Sequence, residues 1–180
     1  MKSLSHGFTL IELLVSVTVA GILFAIAIPA FDSFVKNDRD TAQVNSLVGS
    51  FNYARSEAVK RGSSNGVAVC PSLDSQNCDA GPWTEGWIVK YTDPITPANT
   101  VVLQAIPALG PINALTVVVG PATGIVFNSD GTAPAAPLTI KICDPRLSAF
   151  ARQVEVLATG RVAASQTPGQ SVNGAALACP

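Results

Sequence analysis

Apolar and polar positions along the chain fall into three regimes. From Phe8 to Phe31 nearly every residue is apolar, and between Leu13 and Phe31 no side chain is charged. A helix over this stretch rises ~36 Å at ~1.5 Å per residue, the length of a membrane span. Charge then appears at Asp32, Lys36, Asp38, Arg39 and Asp40. Val44, Leu47, Val48, Phe51, Ala54 and Ala58 follow at spacings of three and four, which predicts an amphipathic helix with one buried stripe. Lys60 and Arg61 suit the negative end of a helix, and Gly62 suits its C′ position. Beyond Gly62 the period shortens toward two. Candidate strands lie at residues 66–70, 86–91, 100–105, 114–119, 124–128, 138–143, 152–158 and 160–164, with turns at Asp130-Gly131 and Thr159-Gly160. The expectation is an α+β chain in which a long N-terminal helix packs its second half on antiparallel sheets. Its parts are a short N-terminal stretch at 1–7, a helix at 8–61 (apolar at 8–31, amphipathic at 32–61) and a β domain at 62–180.

Glu12 breaks the first regime. A carboxylate in hydrocarbon costs about 2.5–3.5 kcal/mol even on lenient insertion scales, so it needs a partner or a purpose. A secretory signal peptide, with Lys2 as its basic region and Ala25-Ile26-Ala27 as its cleavage site, is shorter than this stretch and leaves Glu12 unexplained. A plain membrane anchor fits the length but also leaves Glu12 unexplained. Pro29 removes a helical hydrogen bond and marks a kink or the membrane exit.

Composition narrows the chemistry. The net charge of −1 gives no global field for nucleic acid or acidic lipid. Cys70, Cys78, Cys143 and Cys179 form an even set behind a membrane-targeting segment, which points to two disulfides in an oxidising compartment. Spacing favours Cys70–Cys78 closing a small loop and Cys143–Cys179 tethering the tail, although three pairings are open. The single histidine, His6, lies in the first seven residues, and no C-x-x-C is present, so neither a metal site nor a histidine base is expected. No phosphate-cradling or nucleophile-elbow motif occurs. Asp74, Asp79 and Asp130 lack calcium-loop spacing and read as turn residues. Trp83 and Trp87 read as one core and one loop tryptophan rather than a recognition surface. Arg55, Lys60 and Arg61 read as a solvated face. No cofactor and no enzymatic activity are expected.

The octapeptide Gly7-Phe8-Thr9-Leu10-Ile11-Glu12-Leu13-Leu14 resembles the leader and cleavage motif of type IV pilins and type II secretion pseudopilins. The resemblance implies that prepilin peptidase cuts between Gly7 and Phe8 and that the new N-terminus, Phe8, is methylated. Glu12 becomes the fifth residue, one turn from that amine. It implies that Glu12 pairs on assembly with the terminal amine of the next subunit, and that Pro29 sits where the pilin helix bends or melts. ARSEAVKRG at 54–62, WTEGWIV at 83–89, FNSDG at 127–131 and ATGRV at 158–162 are similar to the GspH/FimT group of minor pilins and pseudopilins. That resemblance implies a type IV pilin-like fold, an inner-membrane anchor with a periplasmic domain, and partnership with other pilin or pseudopilin subunits. It implies a minor pilin that primes or caps a pilus near its tip, with a minor pseudopilin as the alternative. Some FimT-like pilins bind DNA through G-R-x-R. Here the matching residues are Gly160-Arg161-Val162-Ala163, so the second arginine is missing. Arg161, with Arg152, Arg146 and Lys141, forms the candidate DNA-contact set, and ordinary surface charge is the favoured reading.

Overall fold

The computed structural model describes residues 8–62, 64–93, 95–96, 100–108, 114–146 and 148–179. The leader, including Gly7 and therefore the N-terminal side of the expected cleavage site, lies outside them. Helix α1 (Leu10–Arg61) contributes to two compact units, one ending at Arg39 and one beginning at Asp40.

In the first unit α1 begins at a side-chain cap. The Glu12 amide donates to Thr9 Oγ1 at 3.3 Å and the Leu13 amide to the Thr9 carbonyl at 3.1 Å. Apolar side chains then point outward all round the helix. Leu10 keeps 83% of its surface exposed and Ile26 68%. The helix is long and apolar enough to cross a membrane. Its few hydroxyls bond inward: Ser16 Oγ donates to the Glu12 carbonyl at 2.6 Å and Thr18 Oγ1 to the Leu14 carbonyl at 2.7 Å. A hydroxyl bonded this way carries no unmet donor into hydrocarbon. Pro29 lies inside α1, which continues past it without a break.

In the second unit the helical residues from Asp40 onward bury the expected stripe: Val44, Leu47, Phe51, Ala54 and Ala58 are core, with Val48 partly buried beside them. They pack on two four-stranded antiparallel sheets. The strands are β1 (Val67–Pro71), β2 (Gly86–Thr92), β3 (Thr100–Pro107), β4 (Ala114–Val119), β5 (Ile125–Phe127), β6 (Leu138–Cys143), β7 (Arg152–Val156) and β8 (Val162–Ala164). One sheet has the order β3-β2-β1-β5, the other β4-β6-β7-β8. Phe51 from the helix meets Trp83 and Phe127, with ring centroids 6.0 and 6.5 Å apart. Trp83 in turn lies 6.4 Å from Trp87. Both tryptophans are buried, so the expectation of one at a loop is corrected. Burial is possible because each indole finds an acceptor: Trp87 donates to Ser50 Oγ at 2.9 Å and Trp83 to the Ala122 carbonyl at 3.2 Å. Cys70 is joined to Cys78 and Cys143 to Cys179, with Cα separations of 5.4 and 5.8 Å. The helix ends at Gly62, whose φ of +60° is the left-handed C′ conformation and whose amide donates to the Ala58 carbonyl.

Candidate assembly element and surface cations

Thr9 and Glu12 are the N-cap and N3 residues of α1, and T-x-x-E is the spacing of a capping box. Glu12 thus has a local role at the positive end of the helix, which favours a carboxylate there. Phe8, just before the cap, is exposed. The element as a whole is an apolar rod with one carboxylate in its first turn and nothing in its own unit covering it. Such a surface is chemically complete only against lipid tails or other apolar helices.

The four candidate cations do not converge. Arg146 is largely buried and committed. Its Nε lies 2.9 Å from both carboxylate oxygens of Asp144, and its Nη2 is 2.6 Å from Asp144 Oδ2 and 3.1 Å from Asp40 Oδ2. Its guanidinium also lies 4.2 Å from the centre of the Phe150 ring. The hydrogen bonds from Arg146 hold the Asp144 carboxyl down at about 2, and Asp144 raises the Arg146 pKa in return. Lys141 donates to the Ala178 carbonyl and Arg152 to the Gln166 carbonyl, the latter at 3.4 Å. Lys141 opposes Gln153 and Arg152 opposes Ile142 in the β6–β7 ladder, so the two emerge on opposite faces of the sheet. Arg161 alone is exposed and makes no side-chain hydrogen bond or ion pair with any described residue. It stands four residues before Ser165, which bonds Gln153, and so about 13 Å along the strand from the level of Lys141.

Of the helix cations, Lys60 and Arg61 lie on an exposed face as expected, whereas Arg55 is half-buried and committed, which corrects its reading as solvated. Arg55 Nε donates to the Gly131 carbonyl at 3.1 Å and its Nη2 to the Thr159 carbonyl at 3.5 Å. A Cβ on Gly160 would lie 1.8 Å from the Gly131 carbonyl oxygen, and the Gly160 φ is +74°. Only glycine fits that contact. Thus ARSEAVKRG, FNSDG and ATGRV, far apart in sequence, meet at one joint: the arginine of the first ties the turns of the other two. Arg61 and Lys60 pair with Glu57 at 2.8 and 3.4 Å, and Arg61 lies over Tyr91. The hydrogen bond from Arg61 lowers the Glu57 pKa. The three loop aspartates take turn amides. Asp74 accepts from the Gln76 and Asn77 amides, Asp79 from Leu73, and Asp130 from Thr132, each at 2.8–2.9 Å. Bonds from Asn77 lower the Asp74 pKa, and bonds from Thr132 lower that of Asp130.

A long apolar N-terminal helix whose second half packs on antiparallel sheets is the architecture of a type IV pilin-like subunit. The same fold occurs in the type IV minor pilin FimU of Pseudomonas aeruginosa, with a TM-score of 0.54 at 18% identity over 74% of this chain and 98% of that one. The chain belongs to the family described as "Type II transport protein GspH", which its residues 43–160 match. Residues 2–28 match the "Prokaryotic N-terminal methylation motif". The chain is also similar to "Type IV major fimbrial protein FimA" of Dichelobacter nodosus, at 39% identity over 72 residues, 40% of this chain and 44% of that protein. A second FimA is 41% identical over 86 residues, 48% of this chain and 54% of that protein. The chain therefore spans about half the length of the curated relatives it matches.

Proposed function

We propose that the chain is a minor pilin, cut between Gly7 and Phe8 by prepilin peptidase, methylated at Phe8, and built into a type IV pilus near its tip, where it primes assembly. The observation that carries this is the fully exposed apolar length of α1 with one carboxylate in its first turn, within a matched methylation motif. Before assembly the rod sits in the inner membrane and the second unit projects into the periplasm. In the filament Glu12 pairs with the Phe8 amine of a neighbouring subunit and sets the register, while Pro29 marks where the helix bends. The role is assembly rather than catalysis. A minor pseudopilin of a type II secretion system is the second reading, favoured by the description of the family itself. DNA uptake has less support, because only Arg161 of the candidate set stands exposed and unpaired.

Mass spectrometry of filaments sheared from wild-type and deletion strains tests the first reading. A methylated peptide beginning at Phe8, present at low abundance, with fibres reduced by the deletion, supports the minor pilin. Unchanged fibres lacking the chain move the assignment to the secretion system. Glu12→Ala is expected to leave cleavage intact and block incorporation.

A further inference from the structure

Strand β8 is the open edge of the sheet β4-β6-β7-β8. Its register pairs Glu155 with Ala163, Val154 with Ala164 and Val156 with Val162. The Leu157 amide donates to the Arg161 carbonyl, and the Ser165 amide to the Gln153 carbonyl. Residues 161, 163 and 165 therefore spend their backbone groups on β7, since hydrogen-bonded pairs alternate along an antiparallel ladder. The N–H and C=O groups of Val162 and Ala164 point the other way. No described residue hydrogen-bonds to them. The longer edge strands, β3 and β4, carry register shifts in their pairing. β8 has none, and no proline or charge within it. Bulges, prolines and charges protect edges from pairing, and β8 has none of them; its one guard is its length of three residues.

The edge opens into a groove of about 510 Å³ lined by Arg161, Val162, Ala164, Gln166, Gln170 and Ser171 among others. The far wall is held in place. The Gly169 amide donates to the Ala151 carbonyl, the Leu177 amide to the Gly169 carbonyl, and the Ser171 amide to the Ala175 carbonyl, all at 2.7–2.8 Å. Arg161 stands at one end without an ion partner.

We propose that this groove takes a short extended segment of a partner polypeptide, which adds as a strand beside β8 and places a carboxylate against Arg161. Strand addition satisfies the four edge groups, and the polar wall accommodates alternate side chains. The unpaired guanidinium selects an acidic segment by charge complementarity. Nucleic acid fits less well: the lining holds one cation and no aromatic ring on which a base would stack. The proposal holds for either filament machine.

The test uses the full chain, isotope-labelled, in detergent micelles. The probes are two blocked pentapeptides of alternating valine and threonine, with aspartate at the first or the last position. Amide exchange at Val162 and Ala164 is expected to slow at least about fivefold with one of them at millimolar concentration, while Ala163, already bonded to β7, is unchanged. Methylating every peptide backbone nitrogen should abolish the effect. Arg161→Ala should weaken binding about two- to fivefold, as for an exposed ion pair. Three results overturn the proposal: no slowing with either peptide; equal slowing by the N-methylated peptide; or a double-stranded DNA 12-mer protecting the same amides at lower concentration than the peptides.

Discussion

The two halves of α1 obey opposite rules. Up to Arg39 its apolar side chains are exposed on every side, and from Asp40 onward most of them lie in one stripe that the sheets cover, with Tyr53 and Val59 left outside it. The second half satisfies its apolar surface within the chain. The first half leaves that surface for something outside. The polar residues differ in the same way. Glu12 sits in an open first turn, whereas Asp40 is buried against Arg146. One helix thus holds a folding element and an assembly element, and they should respond differently to the same kind of substitution.

The largest expected effect tests the folding half. Phe51→Ala removes the ring at the centre of the aromatic cluster and should destabilise the second unit by about 4–5 kcal/mol, read from tryptophan fluorescence of the full chain during denaturation. Ile22→Ala, in the exposed apolar half, should change the same transition by less than about 0.5 kcal/mol. Equal effects would break the comparison. Next comes the tail. Replacing Cys143 and Cys179 by serine opens a loop of sequence separation 36, which chain entropy values at about 4 kcal/mol. Opening the Cys70–Cys78 loop, of separation 8, should cost about 2.5 kcal/mol.

Arg146→Met should cost about 3 kcal/mol at neutral pH, because it strips a partner from two buried carboxylates. It should also change the acid limb. Hydrogen bonding to Arg146 depresses the Asp144 pKa from its ordinary 3.8 to about 2. The stability tied to Asp144 is therefore fully present above about pH 4 and lost as pH falls toward 2. The wild type should lose stability across that window, and Arg146→Met should lose less of it, in denaturation midpoints measured from pH 5 to pH 2. The smallest effect sharpens the assembly half. Thr9→Ala should weaken the start of the helix by about 1 kcal/mol, seen as faster amide exchange at residues 11–13 with no change in the second unit.

Much of the fold was legible. The period of three and four from Val44 to Ala58 is a direct record of the buried stripe, and all eight strands fall where alternation and turn residues place them. Strand ends were less so: β5 and β8 are shorter than the expected stretches 124–128 and 160–164, whose first residues, Gly124 and Gly160, have positive φ and stand outside the strands. The capping box at Thr9 is readable from T-x-x-E alone. The Asp40–Arg146 pair was not readable, since its partners lie 106 residues apart and local spacing carries no trace of them. The same holds for Arg55, whose charge reads as solvent-facing until the two turns it ties are brought beside it. Trp83 misled because a short helical turn, not a strand, carries it into the core.

The Cys143–Cys179 bond also has a mechanical side. A load drawn through the tail past Cys179 crosses directly to β6 and bypasses the intervening chain. That chain, at ~3.4 Å per residue over a separation of 36, is about 120 Å of contour that tension cannot draw out. Under tension that segment stays stored, and reduction turns it into slack.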